Sequence, residues 1–244
     1  VHPNQMAVNA AQIAIEKANI DPMEIDAVLC TTEEWREYLL WTTAIDLAYE
    51  VGARRAWGLD IHTRCATTIA ALKMARSLMA DDPSINTILI GGGYAVSHFI
   101  DLSDVNTSFL FNIGAGAGAM IVKRDWPENR VLGNHMIADG LMSRHVIVPA
   151  SGTVQPPTDA TMKDGGFKFR LVEPEAMKAR LGEVSIKNWL ECVDVSLDKS
   201  GTKSDGTPYT RADIDFFNMS LVKPSAHSEM LDHLGLSEEQ SVYI

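Results

Sequence analysis

LDIHTRCATTIAAL, residues 59–72, is the stretch on which the fold turns. Its first part closes a short strand, Ala56 to Ile61, and the rest opens a helix running from Arg64 to Ala80. Ala, a strong helix former, is frequent there, with two Met. Ile69, Leu72, Ala75, Leu78 and Met79 recur at near-helical spacing and predict the buried face. Cys65 stands at the junction. A thiol there faces the positive end of the helix macrodipole and unpaired backbone N–H groups, which favour the nucleophilic thiolate. His62 and Arg64 are near enough in sequence to assist, and Ala66, Thr67 and Thr68 are small enough to let a ligand approach. Free cysteines are also commonly buried and inert, so position alone leaves a structural cysteine open.

Strands and helices alternate on either side. Upstream, Asn4 to Ala18 reads as a helix with Asn4 as its N-cap. Ile25 to Thr31 (IDAVLCT) reads as a buried strand, and Trp41 to Val51 as a helix stopped at Gly52. Downstream, Thr87 to Ile90 is a strand running into Gly91, Gly92 and Gly93, and Ala117 to Lys123 is another. Crossover helices between apolar strands predict an α/β architecture, a mostly parallel sheet covered on both faces. From about Gly133 to Asp164 the pattern weakens into short strands and Pro/Gly-containing loops. A helix resumes over Glu173 to Cys192, and Lys199 to Thr207 is an exposed loop. Ile214 to Met219 predicts a strand before a last helix, Ser225 to Leu234.

Five strings in this order resemble the thiolase superfamily, and within it the ketoacyl-ACP synthase III and HMG-CoA synthase branch. They are KANIDPMEIDAVLCTTE, EVGARRAWGLDI, RCATTIAALKMARSLM, ILIGGGYAVS and TSFLFNIGAGAGAMIVK. The resemblance implies the thiolase fold, two similar halves built around mixed sheets. The first half is residues 1–123, and the second, residues 124–244, is incomplete. It implies that Cys65 takes an acyl group from acyl-CoA or acyl carrier protein, as in a 3-oxoacyl-ACP synthase III of fatty acid biosynthesis. It also implies that the run Gly114 to Ala119 packs tightly beneath the nucleophile. A homodimer is implied too, with Thr87 to Ile90 as the contact strand, because such an apolar strand is otherwise an exposed edge. Two other readings stay open: an HMG-CoA-synthase-like condensing enzyme, and a non-catalytic thiolase-fold partner subunit.

Glu33 favours the first of these. Thr32-Glu33 resembles the Thr-Glu pair that ends the strand before the cysteine in HMG-CoA synthases, where that Glu is the general acid/base. A carboxylate beside a thiolate in a dry pocket can shuttle a proton during condensation. The competing reading is a solvated loop carboxylate, since Glu33, Glu34 and Glu37 form a small acidic cluster. The absent histidine favours the second reading. The histidine that condensing enzymes of this family use should lie between the strand IDFFNM and the helix leading to HLGL. Ser220 stands at or beside that position, with Leu221 the other possibility, and Lys223 stands where the family has asparagine. His227, seven residues beyond Ser220, is a candidate displaced catalytic histidine or simply a helix residue.

Composition excludes several classes. Of 244 residues, 46% are hydrophobic and 22% charged, enough for a sizeable core and unlike a disordered chain. A net charge of −11 opposes nucleic-acid and anionic-membrane surfaces. Cys30, Cys65 and Cys192 are too few for a disulfide framework and fit a reducing compartment, hence a cytoplasmic expectation. GAGAGA (114–119) is not G-x-G-x-x-G opening a helix, which sets aside a dinucleotide loop. His227 and His233 lie six apart, without metal-ligand spacing, so neither metal nor redox cofactor is expected. The N-terminus lacks an initiator Met and the C-terminus stops short of the family's last strands, so the chain reads as a piece of something longer.

Overall fold

A computed structural model describes residues 2–33, 35–220 and 222–243. The chain forms two compact units, residues 1–130 with 146–171, and residues 131–145 with 172–244.

The first unit is a four-stranded sheet and its helices. Its elements are α1 (Pro3–Ala18), β1 (Ala27–Cys30), α2 (Thr43–Glu50), β2 (Trp57–Asp60), α3 (Thr67–Asp81), β3 (Thr87–Ala95) and β4 (Ala115–Lys123). The strand order is β2-β1-β3-β4. β1 runs parallel to both β2 and β3, while β4 returns antiparallel to β3 over its whole length. The sheet is thus mixed, with its parallel part where crossover helices were expected. α1 lies on β3 and β4, α2 on β1 and β2. Ala7, Ala11 and Ile15 of α1 and Ala44, Leu47 and Ala48 of α2 close over Val28, Cys30 and Leu89 in one apolar core. The alternate strand residues Ala27, Leu29, Ile88 and Ile90 point to the opposite face and are buried as well, as a strand covered on both faces requires.

Several expectations are corrected. Asn4 is not the N-cap of α1: Pro3, with its φ preset for the first helical position, starts the helix one residue earlier behind His2. Asn4 instead ties α1 to a loop and to α2, its backbone N–H donating to Glu37 Oε1 and its amide to Asp46 Oδ2. The buried stripe of α3 is Thr67, Ala70, Ala71, Ala75 and Met79, whereas Ile69 is exposed. Four of these five side chains are small, Met79 is the large apolar residue among them, and Ile69 falls outside the stripe. β3 is no edge: it lies between β1 and β4, and β2 and β4 are the edges.

Tight packing falls on a different glycine run from the one expected. A Cβ added at Gly114, Gly116 or Gly118 meets nothing within 4 Å. At Gly93 it would run into the Pro3 carbonyl oxygen, and at Gly92 it would lie 2.6 Å from the Thr32 nitrogen. The GGG of β3 therefore lets the start of α1 and the end of β1 come together.

The first unit also holds the small sheet of β5 (Val146–Ile147) and β6 (Arg170–Leu171), with the short α4 (Asp159–Lys163) between them. Trp35, His98, Phe99, Phe167 and Phe169 form an aromatic cluster, with Trp35 stacked on His98 and edge-on to Phe99 and Phe167.

The second unit carries α5 (Pro174–Asp198) and α6 (Pro224–Leu234). α6 buries His227, Met230, Leu231 and Leu234. Ile214 to Met219 does not form the expected strand. Only Phe217 finds a ladder partner, a single bridge to Ser241, and one bridge does not make a strand.

Candidate active site

Three segments of the first unit build the site. β1 delivers Thr32 and Glu33 just past its last residue, and β2 leads through Ile61 to a single 3₁₀ turn, Arg64–Ala66, that precedes α3. The Thr32 hydroxyl accepts from the Gly93 N–H at 3.0 Å, which fixes the end of β1 against β3. Asp60, closing β2, accepts from the backbone N–H groups of Thr43 and Ala44 at 3.1 and 2.7 Å and from the Arg36 guanidinium. Its carboxylate thus caps the first turn of α2 across the sheet, where the helix dipole favours an anion. The strand that leads to the cysteine is anchored at the residue before it turns.

Cys65 is exposed and lies in the 3₁₀ turn rather than in the first turn of α3. Arg64 before it adopts a left-handed backbone, φ 58°, which turns the chain sharply into the helix. α3 then starts with Thr67, not with Arg64 as expected, because that left-handed residue interrupts the helical run. The other two cysteines are sheltered. Burial pushes the Cys30 thiol up to about 11, and burial also raises that of Cys192.

Glu33 is not a solvated loop carboxylate. Its side chain is 8% exposed and is enclosed by the turn that holds Cys65. Arg64 Nη1 donates to Glu33 Oε2 at 3.0 Å, and Thr67 Oγ1 lies 3.0 Å from Glu33 Oε1. Of the other two acidic residues, Glu37 accepts from the Asn4 N–H at the start of α1, and Glu34 lies outside the described residues. Thr67, read as a small residue giving access to a ligand, is buried and fully engaged. The Thr63 backbone N–H donates to Thr67 Oγ1 at 2.9 Å, a contact that any residue at 63 except proline could make and that residue types therefore do not signal.

Ser220 and His227 belong to the second unit. The His227 ring is buried on α6, its Nε2 2.8 Å from Ser241 Oγ, with the Tyr243 ring beside it. Leu221 lies outside the described residues. Among the described residues no group of three His, Cys, Asp or Glu side chains is arranged to hold a metal.

A family model, 3-Oxoacyl-[acyl-carrier-protein (ACP)] synthase III, matches residues 59–140, a span that begins in β2, takes in the turn of Cys65 and continues past β4. The Beta-ketoacyl-[acyl-carrier-protein] synthase III of Campylobacter curvus is 31% identical over 240 residues, 98% of this chain and 67% of that protein. The chain belongs to the beta-ketoacyl-ACP synthase III family. The family member from Sulfurovum is 30% identical over 164 residues, 67% of this chain and 48% of its own length. These alignments span about half to two thirds of the relatives. Among solved structures, 3-oxoacyl-(acyl carrier protein) synthase III of Pseudomonas aeruginosa superposes on the whole chain with a TM-score of 0.77 at 21% identity, over 68% of that chain. This likeness shows the fold, the thiolase architecture expected from the strings around Cys65.

Proposed function

We propose that the chain transfers acyl groups from a thioester through an acyl-Cys65 intermediate, in the manner of a 3-oxoacyl-ACP synthase III. The observation that carries this reading is the exposed Cys65 on a sharp turn beside a buried, held carboxylate. In the first half-reaction the Cys65 thiolate attacks the thioester carbonyl carbon. A carbon–sulfur bond to the enzyme forms, the bond to the carrier breaks, and the proton given up by Cys65 ends on the departing thiol. Backbone N–H groups hold the oxyanion of the tetrahedral intermediate. In the second half-reaction a carbon–carbon bond forms between the acyl group and the acceptor's α-carbon and the carbon–sulfur bond to Cys65 breaks; Glu33 serves as acid/base, taking the proton that the α-carbon gives up or, where a malonyl acceptor gives up CO2 instead, returning a proton to the Cys65 thiolate. No metal or redox cofactor takes part in either step. Coenzyme A or an acyl carrier protein is the carrier, in the cytoplasm; the relatives' printed names support the carrier protein.

Ser220 and His227 enter this reading as candidates for the role of the family histidine. His227 is the stronger on chemical grounds, having an imidazole, but its Nε2 is taken up by Ser241. The chain assembles as a homodimer in this proposal, and the edge strand β2, with Trp57 and Leu59 exposed, supports a contact there rather than at β3.

The test is a transfer assay with acetyl-CoA as donor and a malonyl thioester as acceptor, followed by product and CO2. Cys65→Ala abolishes product, Glu33→Gln cuts it severely, and His227→Ala leaves it largely intact. Product formation by Cys65→Ala overturns the reading. Loss of CO2 release in His227→Ala reassigns the histidine role to His227.

A further inference from the structure

The Thr67 hydroxyl stands among three groups that one hydroxyl cannot serve in the same way at once. Oγ1 lies 2.9 Å from the Thr63 nitrogen, 2.6 Å from the Arg64 carbonyl oxygen and 3.0 Å from Glu33 Oε1. The Thr63 N–H can only donate, so Oγ1 accepts there. The Arg64 carbonyl can only accept. A hydroxyl has one hydrogen and two acceptor sites, so its hydrogen goes either to Glu33 or to the Arg64 carbonyl.

Each choice suits one protonation state of Glu33. When Glu33 is a carboxylate, Thr67 turns its hydrogen to Oε1 and the carboxylate is satisfied by two donors, Thr67 and Arg64. When Glu33 has taken a proton, its new O–H needs an acceptor. Oε2 faces the Arg64 guanidinium, which has no lone pair to offer, so the proton is accommodated on Oε1. Thr67 Oγ1 then accepts it beside the Thr63 N–H, filling both acceptor sites, and turns its own hydrogen to the Arg64 carbonyl. The change is a rotation about one C–O bond.

We propose that Thr67 is a positioning residue that satisfies Glu33 equally as carboxylate and as carboxylic acid, allowing a buried group to work in both directions as acid and base. This rests on the acid/base role proposed above for Glu33. Apolar burial would otherwise leave one of the two states short of a partner, at the cost of an unmade hydrogen bond.

The experiment compares Thr67→Val, which keeps shape without the hydroxyl, with Thr67→Ser, which keeps the hydroxyl, in native and Glu33→Gln backgrounds. General acid–base catalysis contributes about 10²–10⁴-fold, so Thr67→Val should lower kcat by about tenfold with KM within about twofold, while Thr67→Ser stays within about threefold. In the Glu33→Gln background Thr67→Val should cost less than about twofold, because the group it acts through is gone. An equal loss in both backgrounds, or no loss in either, overturns the proposal. If Thr67→Val fails to fold, Thr67→Ala against Thr67→Ser makes the same comparison. A second readout is independent of turnover: the infrared carbonyl stretch of protonated Glu33, assigned by its absence in Glu33→Gln. It should move to higher frequency in Thr67→Val and stay in place in Thr67→Ser. If the chain shows no acyl transfer, the function proposed above fails, and the infrared shift still decides the role of Thr67. No shift overturns it.

Discussion

Arg64 Nη1 lies 3.0 Å from Glu33 Oε2, so the residue immediately before Cys65 carries the charge that offsets a buried carboxylate. The two side chains are unequally placed, 67% exposed for Arg64 and 8% for Glu33. The pair therefore matters more to Glu33 than to Arg64. Exposed pairs contribute little to stability, but removing one partner of a buried charge leaves that charge uncompensated.

Arg64→Gln should accordingly destabilise the protein by about 1–2 kcal/mol, below the full cost of breaking a buried pair because water reaches the Arg64 side. Urea unfolding measures this. Arg64→Gln combined with Glu33→Gln should recover part of the loss. A double variant that is less stable than Arg64→Gln would show that the charge on Glu33 is not the cause.

Asp60 supports the same turn from the strand side. Asp60→Ala removes the acceptor for the Thr43 and Ala44 N–H groups and the partner of Arg36. Loss of a helix cap costs about 0.5–2 kcal/mol, and this one also strands a cation, so the upper end, about 2 kcal/mol, is expected. Asp60→Asn should cost about half as much, since one acceptor oxygen remains. Equal stability of Asp60→Ala and the native chain would contradict the capping role.

Much of the fold could be read from residues, and the reasons are physical. IDAVLCT and TILI are short apolar runs with helical stretches between them, a pattern that a sheet buried on both faces imposes on every such strand. The turn at Gly52 (φ 86°) ends α2 as a left-handed position favours glycine. Ile214 to Met219 misled because an apolar run signals a strand only if a neighbour is present to pair with it. The place of Cys65, between a strand and a helix, was legible in the residues around it. The position of Glu33 just past β1 could be read from Thr32-Glu33, but its partners could not: Arg64 and Thr67 reach it across more than thirty positions of chain, and no local periodicity encodes such a contact.

The two glycine runs separate in the same physical way. Gly93→Ala places a Cβ against the Pro3 backbone and should cost about 1–3 kcal/mol, the ordinary range for overpacking. Gly118→Ala meets nothing within 4 Å and should stay within about 0.5 kcal/mol of the native chain. Chemical denaturation of both variants checks the contrast, and equal losses would contradict the assignment of the tight contact to β3.

Acid sensitivity should trace in part to Asp213. The Lys203 ammonium beside it, then the backbone N–H and hydroxyl of Thr210, hold its carboxyl at about 2, below the ordinary value. A carboxylate held low in the folded state stabilises above its unfolded pKa, about 3.9, and that contribution disappears as pH falls through the folded value. Between about pH 4 and 2 the melting temperature of the native chain should therefore fall more steeply than that of Asp213→Asn. Parallel curves through that window would contradict the Lys203–Asp213 contribution.

Incubation with acetyl-CoA followed by peptide-level mass spectrometry decides whether Cys65 is the acylated nucleophile. Cys30, raised to about 11 by burial, and the half-buried Cys192 serve as internal controls in the same sample. A single acetyl group is expected, on the peptide containing Cys65, lost on treatment with hydroxylamine and absent from Cys65→Ala. No acetyl group on that peptide, or equal acetylation of Cys30 or Cys192, would contradict that role for Cys65.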